Sequence, residues 1–435
     1  MIKLLEGVRV VETASFVMGP IAGRVLADWG AEVIKIEPDA VHPPYDGDQI
    51  RGTGLARGIM NGDSCMFQFV NGNKKSVALD TRSKQGQIIQ QKLCASADIV
   101  IHHISPKDQK KLGIDYDTLS AMNPGIIVAS TIGYGTEGPD KDRPGFDAVA
   151  YAARSGMLTG NNSTDTPYIP FMGLGDVPSG TYLAAAILAA YCHKLKTGKG
   201  EEVTTALYGS AVWTAGIPVC AAPYGDPYPT PLEAAMPSTR MYECADHKWI
   251  YIMCNNWDIS VPEFKKVMPS FPADAEKRWP NYFAAKAANA EISAIFAAEF
   301  ASHDRDYWVE KLSTARIPFD VVSDFKDIQK DPQAWAAGFL VKPDEAGTED
   351  YPYETGIPVA PGKFRNAGTP SVTISKVGEH TREELKKVGY TDEQVDKFRE
   401  KKLLSEGDQF QPDRFNVYKP GTYYNMVFSA LGNNK

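Results

Sequence analysis

Residues 8–37 restrict the fold of this chain more than any other stretch. They consist of a buried strand at 8–12, a helix that begins at Gly19-Pro20 and ends at Gly30, and a second buried strand at 31–37. A strand, a helix and a further strand in this order form a βαβ unit, whose two strands are parallel. The chain is therefore predicted to belong to the α/β class and to contain an open parallel sheet.

The same alternation continues through the first half of the chain and then stops. Further strands are predicted at 76–80, 97–103, 125–131 and 202–207. From about residue 210 to residue 320 the pattern is instead a hairpin followed by two amphipathic helices. The length of 435 residues also exceeds what one compact core accommodates. We predict a large Rossmann-like domain at 1–210 to which 330–435 return, a smaller α+β domain at 225–320, and linkers at 211–224 and 321–330.

Composition excludes several classes of function. A net charge of −8 and a pI near 5.5 argue against nucleic acid or an acidic membrane surface as a partner. The six cysteines are scattered without a CxxC pair, so neither a zinc site nor a disulfide framework is indicated. The first residues lack the apolar core of a signal peptide, and the longest apolar run, 183–192, is too short to span a bilayer. These observations predict a cytoplasmic protein.

The segment 173–180 combines glycines with a single carboxylate, that of Asp176. An alanine-rich helix is predicted from Ser179 to about Lys196, which places Asp176 just before a helix N-terminus. The side chain is then either a helix cap, the commoner role of such a residue, or a reactive group. The neighbouring glycines would let a large ligand approach the carboxylate closely. The residues alone leave both interpretations open.

Polar and glycine-rich loops follow several of the predicted strands, where open α/β sheets bind ligands. The loop 15–20 does not match the GxGxxG pattern of dinucleotide-binding proteins. His102 and His103 end one strand without a convincing third ligand nearby, so no metal site is predicted. Glu37 ends another strand and is either a ribose ligand or a solvated charge. The loops therefore predict a ligand crevice without a resident metal.

Taken together, these segments resemble the class III coenzyme A transferases, the family of formyl-CoA transferase and carnitine CoA-transferase. The resemblance extends to about Leu404. It is carried by residues 5–10, 19–20, 30–37, 73–76, 133–135, 144–147, 175–176, 196–200 and 378–381. Residues 144–147 followed by 152–154, and residues 331–336, resemble the phenyllactate and 2-hydroxyisocaproate CoA-transferases within that family.

The resemblance implies a covalent mechanism in which Asp176 is the nucleophile. Its carboxylate attacks an acyl-CoA to form an acyl–aspartyl anhydride, and the CoA thiolate then converts this anhydride into an aspartyl-CoA thioester. The acceptor acid finally leaves as its own CoA ester. A carboxylate is ordinarily ionised at neutral pH and needs no general base. Backbone N–H groups near Gly175 or at the helix start are expected to stabilise the oxyanions.

The resemblance also assigns ligand contacts residue by residue. The positions that match CoA contacts are Val17, Met18, Leu79, His103, Ile104 and Lys111, the last facing the phosphates. Pro38 stands where some members have a basic residue, so Lys74 or Lys75 is expected to supply that phosphate contact. The substrate-side positions are Tyr134, Phe146, Asp147 and Gly175. Asp147 has a second interpretation as a helix cap, and Lys111 as a surface lysine.

The substrates are expected to be an acyl-CoA and a small carboxylic acid, with no tightly bound cofactor. A 2-hydroxy acid and its enoic partner are the leading pair, and bile acids and carnitine-like acids are the alternatives. The family further implies a homodimer of interlinked chains. Racemases of the same superfamily carry histidine in place of Phe146, which makes a 2-methylacyl-CoA racemase the second candidate and a non-catalytic acyl-CoA-binding protein the third. The aromatic tail after Leu404 is expected to pack on its own chain or on a partner.

Overall fold

The structure is a computed structural model, and it describes residues 2–38, 47–53, 64–160, 170–225, 235–344 and 355–407. The described residues form two compact units. Unit 1 comprises those within Met1–Leu158, Ile169–Gly216 and Asp331–Lys435, and unit 2 those within Thr159–Tyr168 and Ile217–Lys330. The aromatic tail beyond residue 407 and most of the polar segment 39–63 lie outside the described residues. No helix in the described ranges is long and apolar enough to cross a membrane.

The strands fall into three sheets. In chain order they are β1 (Arg9–Glu12), β2 (Glu32–Pro38), β3 (Lys75–Leu79), β4 (Ile99–His102), β5 (Ile127–Ile132), β6 (Glu201–Ala206), β7 (Thr239–Glu243), β8 (Trp249–Met253), β9 (Phe319–Val321), β10 (Leu340–Val341), β11 (Ile357–Pro358) and β12 (Leu404–Ser405). Seven of them form the large sheet of unit 1, in the order β12-β3-β2-β1-β4-β5-β6.

The helices mostly follow the strands in alternation. They are α1 (Met18–Asp28), α2 (Ile50–Thr53), α3 (Cys65–Asn71), α4 (Lys84–Ala95), α5 (Pro106–Leu112), α6 (Tyr116–Met122), α7 (Met157–Gly160), α8 (Asp176–Thr197), α9 (Leu207–Thr214), α10 (Gly216–Ala221), α11 (Trp257–Val267), α12 (Ala275–Arg278), α13 (Tyr282–Ala287), α14 (Asn289–Phe300), α15 (Arg305–Ser313), α16 (Phe325–Ile328), α17 (Pro332–Ala336), α18 (Thr381–Lys387) and α19 (Asp392–Glu400). A π-helix spans Asp147–Ala153 and a 3₁₀-helix spans Ala222–Tyr224.

The predicted parallel sheet is confirmed for six strands, and the seventh is a correction. β1 to β6 pair in parallel, whereas β12 runs antiparallel to β3 with Leu404 opposite Leu79. β12 has only two residues, too few to show a periodic pattern in the sequence. The mixed α/β sheet is thus mostly, not wholly, parallel.

The strand order reverses between β1 and β4, which creates a crevice at their carboxyl ends. β2 and β3 lie on one side of β1, and β4, β5 and β6 lie on the other. The loops that follow β1 and β4 therefore leave the sheet in opposite directions, which is where open α/β sheets bind their ligands. Central residues such as Val10, Val100 and Val128 are fully buried because helices cover both faces.

Helices α1 and α8 pack against each other on this sheet through a glycine. A Cβ atom placed on Gly180 would lie 2.3 Å from the carbonyl oxygen of Met18 and 2.8 Å from the Ile21 Cβ. Only a residue without a side chain permits this approach. The contact fixes the first turns of α8 against the start of α1.

Gly180→Ala is therefore expected to lower the free energy of unfolding by about 1–3 kcal/mol, the usual cost of overpacking a core contact. Gly209→Ala in α9 is the matched control, because its Cβ would meet nothing closer than the Ala206 Cβ at 3.9 Å. The control is expected to be neutral or to stabilise by up to about 1 kcal/mol. Urea denaturation of both variants measures the difference, and equal stabilities would contradict the packing argument.

Unit 2 contains the predicted hairpin, which is confirmed as β7 and β8, and β9 adds a third antiparallel strand. The pattern follows strand periodicity: Ile250 and Ile252 are buried, while Trp249, Tyr251 and Met253 are exposed. The two predicted helices appear as α14 and α15. In the segments predicted as linkers, 211–224 is largely helical through α9, α10 and the 3₁₀-helix, and 321–330 contains α16.

Candidate active site

Asp176 is the first residue of α8, which corrects the predicted helix start at Ser179. Gly175 occupies the N-cap position and provides no side-chain hydrogen bond. The Asp176 side chain is half-buried. The interpretation of Asp176 as a capping residue is therefore wrong, because its carboxylate belongs to the first turn and does not cap it.

Asp147 holds the glycine segment that precedes Asp176. Its two carboxylate oxygens accept hydrogen bonds from the N–H groups of Gly173 (2.7 Å) and Gly175 (2.8 Å). Phe146, not Asp147, occupies the N-cap position of the π-helix, so the interpretation of Asp147 as the cap of its own helix is also wrong. The Gly175 N–H is thereby engaged, which removes it from the donors predicted to stabilise an oxyanion.

The π-helix brings two of its side chains to the same glycine segment. A Cβ atom on Gly175 would lie 2.1 Å from Cγ of Tyr151, so the ring of Tyr151 packs directly on the backbone of Gly175. The Tyr151 hydroxyl donates a hydrogen bond to Thr214 Oγ1 at 3.0 Å. π-helical turns are rare and concentrate at functional sites. Here the turn fixes the backbone from which Asp176 projects.

The local environment raises the pKa of the Asp176 carboxyl to about 7. Burial is the larger cause, and the nearby carboxylate of Asp147 is the second. Burial also raises the pKa of Asp147 itself, against the opposing effect of its backbone hydrogen bonds. The expectation that Asp176 is already ionised at neutral pH is therefore corrected: near pH 7 the protonated and ionised forms coexist.

The loop between β1 and α1 borders the crevice. The Lys35 ammonium donates a hydrogen bond to the carbonyl oxygen of Ala14 (2.8 Å), and the N–H of Ser15 donates to His103 Nδ1 (3.3 Å). Val17 and Met18 are mostly buried. His103 is accessible to solvent, although the surrounding protein desolvates it and lowers its pKa. Burial also lowers the pKa of His102 to about 4, so both imidazoles are neutral at pH 7.

Two lysines predicted as substitutes for the missing phosphate contact are engaged elsewhere. Lys74 is buried, and its ammonium binds Glu12 at 2.8 Å and the carbonyl oxygen of Pro20 at 2.7 Å. Lys75 forms ion pairs with Glu32 at 2.8 Å and with two glutamates of α18. The buried Lys74 is therefore unavailable to a phosphate, whereas a phosphate contact of the partly exposed Lys75 stays a prediction. Lys111 is exposed in the last turn of α5, and its phosphate contact stays a prediction.

The remaining predicted residues differ in accessibility. Leu79 is completely buried in the core at the end of β3, so its side chain offers no surface to CoA, whereas Ile104 is half-buried. Tyr134 packs against the buried cluster that contains Tyr151, and the guanidinium groups of Arg143 and Arg154 lie 5.3 Å and 5.8 Å from the centre of its ring. Phe146 is 68% exposed beside Asp147 and therefore presents its ring to solvent.

Sequence reasoning missed a buried ionic network beneath the crevice. Glu37 was predicted as a ribose ligand or a solvated charge, yet it is buried, and Arg51 binds it at 2.7 Å. Despite its burial, Arg51 and Lys35 lower the pKa of Glu37 to about 2. Lys35 in turn binds Asp48 at 2.8 Å. Charges at the ends of consecutive strands were the only signal in the sequence, and they do not reveal their partners.

One cluster among the described residues has the spacing of a metal site. It consists of Glu32, Glu383 and Glu384, which lie at the opposite end of β2 from the crevice. Lys75 and Lys387 bind all three carboxylates, and Arg9 binds Glu32 and Glu384. These cations balance the charge, so the cluster is explained as an ion-pair network.

Comparison with known proteins shows the family of this chain. The sequence model of CoA-transferase family III matches residues 5–381. The (R)-2-hydroxy-4-methylpentanoate CoA-transferase of Clostridioides difficile is 36% identical over 408 residues, which cover 92% of this chain and 99% of that protein. The cinnamoyl-CoA:phenyllactate CoA-transferase of Clostridium sporogenes is 32% identical and covers 92% and 97%, respectively.

A solved structure shows the same fold. A CAIB/BAIF family protein from Brucella suis superposes with a TM-score of 0.74 at 24% identity, over 89% of this chain and 100% of that one. The chain belongs to CoA-transferase family III and is an enzyme that transfers CoA between acids, with CoA thioesters as substrates.

Proposed function

We propose that Asp176 is the nucleophile of this CoA-transferase. The observation that carries the proposal is its half-buried carboxylate at the N-terminus of α8, on a glycine backbone fixed by Asp147 and Tyr151. A nucleophile needs positioning within reach of its target and partial removal of water. The raised pKa also makes the carboxylate more basic than an ordinary aspartate, which favours attack once it is ionised.

The reaction proceeds through two kinds of covalent intermediate on Asp176, an anhydride and a thioester. The ionised Asp176 attacks the thioester carbonyl, the C–S bond breaks, and CoA leaves as a thiolate from an acyl–aspartyl anhydride. The thiolate attacks the aspartyl carbonyl, which releases the donor acid and leaves CoA on Asp176 as a thioester. The acceptor carboxylate then attacks the carbonyl of this thioester, which releases the CoA thiolate and forms a second anhydride, between Asp176 and the acceptor acid. The thiolate attacks the acceptor carbonyl of this anhydride and leaves as the acceptor acyl-CoA. Asp176 is regenerated as a carboxylate.

The oxyanions formed in these steps require hydrogen-bond donors that Asp147 does not already occupy. In the first turn of α8, Val177 donates its N–H to the Gly173 carbonyl (3.1 Å), Ser179 donates to the Gly175 carbonyl (3.0 Å), and Pro178 has no N–H. The backbone N–H of Asp176 itself is the remaining donor of this turn. We assign it, with the positive end of the α8 dipole, to oxyanion stabilisation.

The proposed substrates are apolar 2-hydroxy acids and the corresponding enoic acids as CoA esters. Two similar enzymes are named for 2-hydroxy-4-methylpentanoate and for phenyllactate with cinnamoyl-CoA. In this chain the exposed ring of Phe146 adjoins Asp147, which suits an apolar acyl group. Bile acids and carnitine-like acids remain the alternative substrates. Initial rates with apolar 2-hydroxy acids, a bile acid and carnitine as acceptors rank these classes.

We further propose that CoA lies along the crevice, in contact with Val17, Met18, His103 and Ile104, and that Lys111 faces its phosphates. The family resemblance supports these contacts and a homodimeric assembly, which light scattering of the purified protein measures. A racemase reaction is disfavoured because Phe146, at the position of the racemase histidine, cannot transfer a proton. A non-catalytic acyl-CoA-binding protein would lack turnover altogether.

Chemical trapping tests the proposed mechanism. Wild-type protein incubated with an acyl-CoA and then with hydroxylamine is expected to carry a hydroxamate on the peptide that contains Asp176, as mass spectrometry detects. Asp176→Asn incubated in parallel is the control. Absence of a modified Asp176 across a broad panel of acyl-CoA donors that support turnover would refute the covalent mechanism.

A further inference from the structure

Phe16 has a backbone conformation that a bulky residue rarely adopts. Its φ angle is +65°, in the left-handed region, and its side chain is 44% exposed. For a residue with a Cβ this conformation is strained, and it persists only where the surrounding structure enforces it. Strained residues of this kind concentrate at functional sites. Phe16 lies in the loop 13–18, between β1 and α1 at the crevice.

Hydrogen bonds hold the backbone of this loop on both sides of Phe16. The Thr13 N–H donates to the Ile101 carbonyl at 2.8 Å, and Lys35 binds the Ala14 carbonyl at 2.8 Å. The Ile21 N–H donates to the Val17 carbonyl at 2.8 Å. At Phe16 itself, the backbone N–H donates to Asp48 Oδ1 at 3.4 Å. The Asp48 carboxylate is thus the acceptor located at the strained residue.

Asp48 is itself rigidly held. Its second oxygen lies 2.8 Å from the Lys35 ammonium, and its own N–H donates to Glu37 at 2.8 Å. Oδ1 also accepts from the Ile50 N–H at 3.1 Å. The residue is 1% exposed. A fully buried carboxylate with this many partners is able to impose a conformation on the exposed residue that it contacts.

Loop 13–18 connects the residue that Asp48 contacts, Phe16, to the helices that position Asp176. It leads into α1, whose Met18 carbonyl lies against Gly180 in the second turn of α8. Asp176 begins that same helix. A change in the backbone at Phe16 therefore moves Val17 and Met18, two proposed CoA contacts, relative to Asp176.

We infer that Asp48 is a positioning residue for the CoA thioester: by holding Phe16 in the left-handed conformation, it fixes loop 13–18 in the form that binds CoA. The inference rests on the proposed function, in which this loop contacts CoA. Asp48 touches no reacting atom and acts through Phe16. Its loss should therefore raise the KM for the CoA thioester more than it lowers kcat.

Two substitutions of Phe16 separate its backbone from its ring. Phe16→Gly and Phe16→Val both remove the ring, but glycine adopts a φ of +65° freely and valine does not. We expect the KM for the CoA thioester to be about tenfold higher in Phe16→Val than in Phe16→Gly. Because Phe16 is exposed, both variants are expected to fold. Equal KM values in the two variants would overturn the inference.

A double-mutant cycle tests the role of Asp48 directly. Asp48→Ala is expected to raise the KM for the CoA thioester about tenfold in the wild-type background and markedly less in the Phe16→Gly background. Asp115→Ala is the control for lost stability, because Asp115 is a buried carboxylate that caps α6. It should leave this KM unchanged. An unchanged KM in Asp48→Ala, or an equal rise in both backgrounds, would contradict the proposal.

Hydroxylamine trapping distinguishes this inference from the proposed function. With saturating acyl-CoA, Asp48→Ala is expected to form the Asp176 adduct as the wild type does. If Asp48→Ala forms the adduct and its KM is unchanged, the positioning role of Asp48 is refuted and the assignment of Asp176 as nucleophile stands. Absence of the adduct in wild-type protein would instead refute the mechanism on which the inference rests.

Discussion

Asp176→Asn is expected to lower kcat/KM for CoA transfer by about 10⁴-fold or more, because removal of an attacking group eliminates the covalent route. The amide is nearly isosteric with the carboxylate, so the glycine segment and α8 should remain in place. Steady-state rates with an acyl-CoA donor and an acid acceptor measure the loss. Asp140→Asn, which removes a half-buried carboxylate paired with Arg154, is the control and should retain activity. Retention of more than about one per cent of turnover by Asp176→Asn would contradict its assignment.

The same substitution is expected to stabilise the fold at neutral and alkaline pH. In the folded protein the pKa of Asp176 is raised from 3.8 to about 7, so the folded state binds this proton more tightly than the unfolded state does. Stability from this group is present at low pH and is lost as pH rises from about 4 to 7. Each pKa unit corresponds to about 1.4 kcal/mol, which gives a gain of a few kcal/mol at most for the neutral amide. A lower free energy of unfolding than wild type at pH 8 would contradict this result.

Asp147→Asn is expected to move the acidic limb of the pH–rate profile to lower pH. Asp176 attacks only when ionised, so kcat/KM in the wild type should fall tenfold per pH unit below about pH 7. Removing the Asp147 charge removes the electrostatic contribution to that raised pKa. The maximum rate should also fall, by about 10- to 100-fold. In the wild type each carboxylate oxygen of Asp147 accepts a hydrogen bond from one glycine N–H, whereas the amide of asparagine has only one oxygen and loses one of these two bonds.

Asp140→Asn is also the appropriate control for the pH profile. It removes one negative charge from the neighbouring loop without touching residues 173–175. An equal displacement of the acidic limb in Asp140→Asn and Asp147→Asn would show that net charge, rather than the contact at the glycine segment, sets the pKa. A profile of Asp147→Asn that coincides with that of the wild type would remove Asp147 from the account of Asp176 ionisation.

The sequence was sufficient for features that depend on local periodicity. The βαβ unit, the hairpin β7–β8 and the existence of α8 are all encoded by neighbouring residues. The raised pKa of Asp176 was not predictable, since it depends first on burial and second on a carboxylate 29 positions earlier in the chain, and both arise only in the folded state. The pairing of Lys74 with Glu12 was not predictable for the same reason, because it forms only in the folded state. In the sequence alone, a lysine that is buried in an ion pair cannot be distinguished from one that is free to bind phosphate.

The predicted CoA contacts show that a resemblance does not indicate whether a side chain is accessible in the fold. Leu79 occupies a position that matches a CoA contact, yet its side chain is fully enclosed by the core. Likewise, the cap positions of α8 and of the π-helix fall one residue before the aspartates that were candidates for capping. In both helices the aspartate therefore does not cap its own helix, and the pattern of residue types in the sequence does not predict this.

The antiparallel strand β12 has a consequence for how the chain is made. It pairs with β3, which lies more than 300 residues earlier, and residues 378–381 bind the same strand through Ser76 and Ala78. During synthesis on the ribosome, β3 therefore emerges long before the partners that complete its edge. Contacts between such distant segments form slowly, and an unpaired strand edge is prone to aggregate. The large sheet of unit 1 is consequently complete only after residues 404–405, near the end of the described chain, have been synthesised.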